Sequence, residues 1–204
     1  MNEKEFLDKI RKKVTELKTY ARDTAPRIVG QIAVNHIRED FAQGGFTNNG
    51  FHKWEDTKRQ QSGGAQASSK YGPLLSERNR LMMSVKDNPG QGKVRIFTDV
   101  EYAAIHNEGG STNPKVTPKM KKFAWAMYYK ETGRRKKSKK KKGTKTPVKE
   151  SEEAGRWKAL ALTKKKQLNV NIPKRQFMPD SAGPEMTDKI NKRIDKDIQK
   201  IMEK

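Results

Sequence analysis

The fold prediction rests on two stretches of sequence, Tyr102-Ala-Ala-Ile-His-Asn-Glu-Gly-Gly110 and Ile172-Pro-Lys-Arg-Gln-Phe-Met178. Each stretch places apolar side chains beside residues that control the backbone, glycines in the first and proline in the second. Such segments are typical of positions that fix the shape of a surface and not of catalytic sites. We therefore expect both stretches to act in folding or in assembly.

The composition predicts one ordinary domain with solvated parts. The chain has 204 residues, 32% hydrophobic and 34% charged, whereas typical globular domains have about 45–50% and about 25%. This length is enough to bury a core. The absence of cysteine excludes disulfides, thiolate metal sites and cysteine nucleophiles. No stretch approaches the roughly 18 apolar residues of a membrane span, so we expect no membrane partner.

The positive charge is concentrated in the second half of the chain. Residues 1–110 contain 18 Lys and Arg against 14 Asp and Glu, and residues 111–204 contain 28 against 10. The densest run lies between residues 134 and 142, and such a block repels itself. We predict that residues 131–156 form a disordered, Lys/Arg-rich insertion. It is either a solvated loop or a sequence-independent contact with DNA phosphates or an acidic subunit. The candidate phosphate contacts are Arg134, Arg135, Lys136, Lys137, Lys139, Lys140, Lys141 and Lys142.

Apolar periodicity predicts helices at both ends of the chain. Thr24, which precedes Ala25-Pro26, is typical of a cap that opens a second helix, and Gly44-Gly45 should end that helix. Thr117-Pro118 and Gly183-Pro184 should open two further helices. The helical spacing is set by Phe6, Ile10, Val14 and Leu17 at the start of the chain and by Met186, Ile190, Ile194, Ile198 and Ile201 near its end.

Between these helices we predict a small sheet. Residues 44–73 should form a long loop anchored by Phe46, Phe51 and Trp54. The runs 80–86 and 93–98 should form a hairpin, residues 100–107 a short helix, and residues 168–172 a strand. The predicted fold class is α+β, with an N-terminal helical pair and a C-terminal helix packed on a small, mostly antiparallel sheet that carries the disordered basic insertion.

The order of these segments resembles that of the phage virion morphogenesis (tail completion) family of Mu-like tailed phages. The family has Thr-Gly-Arg-Leu where this chain has Arg78-Asn79-Arg80-Leu81, and Asn is the non-glycine residue that best tolerates positive φ. Lys174 and Gln176 stand where Ala and Pro are common, and the Lys-rich insertion is not a family hallmark. The resemblance is carried by Leu75, Arg80, Leu81, Ser84, the strand 94–98, the segment 102–109 and the segment 172–177.

The resemblance implies a single tail-completion-like domain over residues 1–204 and a structural role without enzymatic activity. Such proteins belong to the neck, at the head-proximal end of the tail or at the head-to-tail joint. They act as homo-oligomeric rings, for which we expect a hexamer, with other phage neck and tail proteins as partners and no cofactor. The implied location is the tail or neck of the virion, after synthesis in the bacterial host cytoplasm.

The candidate site residues are fold or subunit-interface positions. For Ile172–Phe177, subunit contact and core packing are equal alternatives. His106 lies beside Glu108, but His36 and His52 share no ligand spacing with it, so we expect an imidazole hydrogen-bonded at a helix end. No nucleophile, base and orienting group converge, and the rival function is nucleic-acid binding through the Lys-rich segment. The interface or fold positions are Tyr102, Ile105, His106, Gly109, Ile172, Pro173, Arg175 and Phe177.

Overall fold

The computed structural model contains two compact units, and it describes residues 2–61, 72–133 and 151–203. We call residues 1–110 together with 173–204 the body, and residues 111–172 the insert. The chain leaves the body after Gly110 and returns to it at Pro173. The eight candidate phosphate contacts between residues 134 and 142 lie outside the described residues. That the two units form one tail-completion-like domain stays a prediction.

The body opens with the two predicted helices, α1 (Glu3–Thr19) and α2 (Ala25–Gln43). A capping box begins α1, since the Asn2 side chain accepts from the Glu5 N–H at 2.9 Å and the Glu5 carboxylate accepts from the Asn2 N–H at 3.0 Å. The expected cap at Thr24 is wrong. Thr24 is helical, with φ −96° and ψ −49°, and its side chain caps nothing. Residues 20–24 form a π-helical turn that joins the two helices.

Pro26 explains this junction. Proline has no N–H, so it cannot donate to the carbonyl of Arg22 four residues earlier. The carbonyl of Arg22 instead accepts from the N–H of Gly92 at 2.9 Å. In the π-helical turn, the Ala25 N–H donates to the carbonyl of Tyr20, five residues back. The missing donor of the proline thus gives a second segment a place to dock on the helix.

The predicted loop 44–73 contains an antiparallel hairpin, β1 (Gly45–Thr47) and β2 (Phe51–Lys53), followed by α3 (Lys58–Gln61). The loop prediction is wrong here because three-residue strands are too short to show an alternating pattern. Of the three expected anchors, Phe46 and Trp54 are buried, whereas Phe51 is exposed.

The second hairpin confirms the prediction in part. Its strands are β3 (Lys86–Gly90) and β4 (Lys93–Phe97), paired antiparallel with Gly90 opposite Lys93. The strand predicted from Arg80 is wrong, because Arg80–Ser84 form the helix α4. Residues 88–90, which lie between the two predicted runs, belong to β3. Pro89 is tolerated there because a strand in a two-stranded sheet has a free edge that needs no donor.

The short helix α5 (Ala103–Glu108) ends at Gly109, close to the predicted bounds. The strand β5 (Gly110–Thr112) begins at the last residue of the body before the insert and pairs with β6 (Val170–Ile172). Two helices of the insert lie between these strands, α6 (Pro118–Thr132) and α7 (Glu152–Leu162). The flexible segment predicted for residues 131–156 is wrong at both ends, which are helical. The side chain of Ser151 caps α7 by accepting from the Ala154 N–H at 3.1 Å.

The last helix, α8 (Pro184–Glu203), returns to the body and packs against α1 and α2. The α+β class is confirmed, with three separate two-stranded sheets in the described residues in place of one small sheet. Among the described helices there is none with a stretch both long and apolar enough to cross a membrane.

The core of the body is built on α2. The ring of Phe41 meets Trp54 edge-on, with centroids 5.5 Å apart, and meets Phe177 at 5.2 Å. The chain that returns from the insert therefore completes a core that α2 begins. The buried core residues are Ala33, Val34, Ile37, Phe41, Phe46, Trp54, Leu81, Val85, Val100, Ala103, Phe177 and Met186.

Candidate assembly site

The structure brings the two diagnostic stretches together in the body. The N–H of Arg175 donates to the carbonyl of His106 at 2.8 Å. A Cβ added to Gly109 would lie 2.9 Å from the backbone nitrogen of Lys174, so only glycine permits this approach. Gly109 also has φ 78° and ψ 174°, a conformation that is essentially restricted to glycine. Gly109, which is predicted to end the helix, thus also lets the backbone of the second stretch pack closely against it. We call residues 102–110 and 173–178 the paired segments.

Asn107 is the residue that the sequence analysis missed. Its Oδ1 accepts from the backbone N–H of Phe177 at 3.0 Å and of Met178 at 2.9 Å. These donors lie outside any strand, and a side-chain oxygen satisfies both of them. The available signal was an Asn in the last turn of a short helix, where its amide can serve backbone outside the helix.

The second of the paired segments has an inner end and an outer end. Phe177 is 1% exposed and belongs to the core. The carbonyl of Gln176 accepts from the indole Nε1 of Trp54 at 2.8 Å, which ties this end to the first hairpin. Pro173 and Lys174 are exposed. Core packing therefore applies to the inner end, and the outer end is open to a subunit contact. Ile172 is half-buried in β6 of the insert.

The first of the paired segments presents Tyr102 to solvent. Tyr102 is 40% exposed, and its ring stands edge-on to the imidazole of His106, with centroids 5.7 Å apart. Ile105 is half-buried, and its side chain lies within 3.6 Å of the position of a Cβ on Gly110. Arg175 donates from its guanidinium to the carbonyl of Glu55 at 3.0 Å and 3.3 Å. These contacts hold an aromatic side chain at the rim of a fixed surface.

His106 departs from the expected hydrogen-bonded imidazole. Its Nδ1 is buried and has no hydrogen-bond partner among the described residues. Burial, followed by the positive charge of Arg175, lowers the pKa of His106 below its ordinary value. The imidazole is therefore neutral at pH 7, and the backbone of this residue, not its ring, joins the paired segments.

The other histidines contact backbone oxygens. His36 Nε2 lies 3.4 Å from the carbonyl oxygen of Thr47, and His52 Nε2 lies 3.2 Å from that of Asn48. His36 Nδ1 is also 3.2 Å from the ammonium group of Lys189. Within residues 2–61, 72–133 and 151–203, no three side chains of His, Asp or Glu are grouped as metal ligands would be.

An open groove of about 580 Å³ runs beside the outer end of the paired segments. One wall comes from the first hairpin, through Phe46, His52 and Trp54. The other wall comes from Pro173, Lys174 and Gln176. Trp54 and Gln176 also hydrogen-bond to each other, so both walls are fixed. The groove is a concave surface between the first hairpin and the outer end of the second paired segment.

The fold and the site define an α+β protein whose distinctive feature is a fixed, partly apolar surface around the paired segments. In comparisons with family models, curated proteins and solved structures, nothing matches the chain.

Proposed function

We propose that the chain is a structural protein of phage virion morphogenesis, a tail completion or head-tail neck component that oligomerises into a ring. The observation that carries this proposal is the union of the paired segments. They flank the longest gap in the resemblance, and the Arg175 and Asn107 hydrogen bonds join them into one surface. A ring subunit needs such a rigid patch, since the same contact is repeated around the symmetry axis.

A second observation supports the resemblance. Asn79 stands where the family has glycine, and it adopts φ 46° and ψ 36°, directly before α4. The position therefore requires the left-handed backbone that glycine adopts freely, and Asn is the next best residue for it. Asn79 therefore keeps the backbone conformation that glycine would adopt at this position.

The exposed side chains of the body are suited to subunit contacts. A stable interface buries roughly 800 Å² on each partner, commonly around aromatic anchors. Tyr102 is an exposed aromatic side chain of the paired segments, and the groove lined by Pro173 is a concavity on the same body. The helix α1 adds an apolar stripe with no buried residue, formed by Phe6, Leu7, Ile10 and Val14, which are 43–49% exposed.

The test is incorporation into virions. A phage lacking this coding sequence is complemented with the chain or with Tyr102→Glu, and virions are purified and imaged by electron microscopy. We expect the wild-type chain in the neck or tail and a titre at least about tenfold higher than with Tyr102→Glu, because a charge at an interface core costs about 2 kcal/mol or more. The matched control is Met83→Glu, at an apolar side chain that is 56% exposed on α4.

The proposal fails if the wild-type chain is absent from purified virions, or if Tyr102→Glu and Met83→Glu are indistinguishable from wild type in virion assembly. Circular dichroism of both variants separates loss of contact from loss of fold. The rival function, nucleic-acid binding through residues 134–142, predicts instead that deleting those residues abolishes salt-dependent DNA binding and leaves virion incorporation intact.

A further inference from the structure

The insert carries most of the charge of the molecule. Residues 111–172 contain 20 Lys and Arg against four Asp and Glu, a net charge of +16 out of +22 for the whole chain. Without residues 134–150, the insert still has ten Lys and Arg against three acids. The described part of the insert is therefore basic in its own right.

Most of the described positive charge of the insert lies at one end of the α6–α7 helical hairpin. Residues 111–122 and 163–172 contain seven of the ten described Lys and Arg, and they contain no Asp or Glu. The start of α6 and the end of α7 lie together, because Lys121 donates from Nζ to the carbonyl of Thr163 at 2.6 Å. The flanking segments also pair, with Lys115 opposite Gln167 and the Val116 N–H bonded to the Lys166 carbonyl at 2.8 Å. We call the basic end the six exposed lysines Lys115, Lys119, Lys122, Lys164, Lys165 and Lys166.

The lysines of the basic end form no salt bridge with any described residue, in contrast to many cations of the body. In the body, for example, Lys86 pairs with Asp99 and Lys189 pairs with Glu39. The described acids of the insert lie at the opposite end of the hairpin, in the last turn of α6 and the first turn of α7. The hairpin is therefore electrically polar.

Helix dipoles increase this polarity. The N-terminus of α6, a helix of 15 residues, points its positive end at the basic end. The negative end of α7 is offset by the ammonium group of Lys121, which bonds to the Thr163 carbonyl. Six ammonium groups thus sit in a region where no described charge opposes them, and they repel one another until an anion is present.

We propose that the basic end binds the phosphate backbone of nucleic acid without reading its sequence. The partner must match several lysines within a small region, and duplex DNA, with one charge per roughly 1.7 Å of its axis, does so. All six side chains are lysines, flexible point charges that suit phosphates, and none is an arginine fork that reads guanine edges. The site consists of the described residues alone and does not depend on the proposed phage function.

The test uses the full chain and a fluorescent duplex of random sequence, with binding measured by anisotropy over a series of salt concentrations. Each phosphate contact adds about 0.9 to the slope of log affinity against log salt. We expect Lys164→Ala/Lys165→Ala/Lys166→Ala to lower this slope by about 2 to 3 and the affinity on the order of tenfold. Lys119→Ala/Lys122→Ala should lower the slope by about 1 to 2.

The matched control removes three exposed lysines of the body, with Lys9→Ala/Lys12→Ala/Lys18→Ala on α1. It makes the same change in net charge and should leave the slope within about 0.5 of wild type, since none of these lysines lies at the site. Circular dichroism confirms that each variant is folded. Deletion of residues 134–142 runs in parallel and should leave a salt-dependent binding component that the triple Lys164–Lys166 variant then reduces.

Three results would overturn the proposal. In the first, both basic-end variants keep the wild-type slope. In the second, the α1 control lowers the slope as much as they do, which would indicate an effect of net charge alone. In the third, the chain binds poly-glutamate at salt concentrations where it does not bind the duplex, which would indicate an acidic protein as the partner.

Discussion

The body and the insert are stabilised by different interactions. The body buries twelve apolar side chains in one cluster around α2 and sets many of its cations beside carboxylates. The described buried side chains of the insert are Ala124, Tyr128, Ala154 and Ala161, and its basic end has no acid. The net charge of +22 therefore describes neither unit, because the insert carries +16 of it and the body +6. The net charge of a chain is informative about binding only when it is divided between the structural units that carry it.

In place of a large apolar core, the insert has small buried residues and pairs of aromatic rings. Ala124, Ala154 and Ala161 are at most 6% exposed, which fits close approach of α6 and α7. Phe123 meets Trp157 edge-on at 5.7 Å, and Trp125 stacks on Tyr129 at 5.8 Å. Such ring pairs contribute about 0.5–1.5 kcal/mol each beyond the area that they bury, and they add to the packing of the small buried residues.

The largest expected effect on stability comes from removing the ring of Phe177, which is buried in the core of the body. Phe177→Ala empties a fully buried site against Phe41 and should destabilise the body by about 3–5 kcal/mol. Hydrogen exchange read by peptide should show loss of protection in α2 and α8 and unchanged protection in α6 and α7. The control Phe51→Ala removes the same ring from an exposed position and should cost less than about 1 kcal/mol. Equal loss of protection in the insert would show that the two units unfold as one.

One substitution should have opposite signs in the two units. Gly109→Ala forces a left-handed residue to carry a Cβ that meets the backbone of Lys174, and it should cost about 1–3 kcal/mol. Gly155→Ala lies within α7, where nothing is within 4 Å of the added Cβ, and it should stabilise the insert by about 0.5–1 kcal/mol. Urea unfolding of both variants checks the signs. A neutral Gly109→Ala would contradict the close contact between the paired segments.

Substitutions at Asn107 test how the paired segments are joined. Asn107→Ala leaves the N–H groups of Phe177 and Met178 without their acceptor and should cost about 1–3 kcal/mol. Asn107→Asp keeps an oxygen at the same position and should retain most of the stability. Chemical denaturation at pH 7 measures both. If the alanine and aspartate variants lose the same stability, the Oδ1 contacts are not what joins the segments.

The smallest expected effect is a pH dependence confined to the body. The folded state holds the pKa of His106 below its ordinary value of 6.5, because burial and Arg175 disfavour the charged imidazole. The unfolded chain takes up this proton first, so the stability contribution is fully present above about pH 6.5 and is lost as pH falls toward the folded pKa. His106→Gln should flatten the decline of the urea midpoint between pH 7 and pH 5. Carboxylates with lowered pKa, such as Asp99 and Asp197, act at lower pH.

Much of the fold follows from local signals, and the misses have physical causes. Thr117-Pro118 opens α6 and Gly109 ends α5 because caps and positive φ are properties of single residues. Thr24 fails as a cap because the helical backbone continues through residues 20–24, and the Arg22 carbonyl left free by Pro26 finds its donor in Gly92, far along the chain. The role of Asn107 likewise depends on backbone that arrives only after the insert. Long-range partners of backbone groups leave no periodic trace in the sequence.

The discontinuity of the body has a consequence for synthesis. The apolar face of α2, with Ile37 and Phe41, leaves the ribosome long before Phe177 and Met186, which cover it. The insert is contiguous, so α6 and α7 can pair while the body still lacks its closing segments. During that interval an open apolar surface and a strongly cationic unit coexist on one nascent chain, a state prone to aggregation and to capture by polyanions. The order of emergence therefore makes the body the last part of the molecule to mature, and its closure waits for α8.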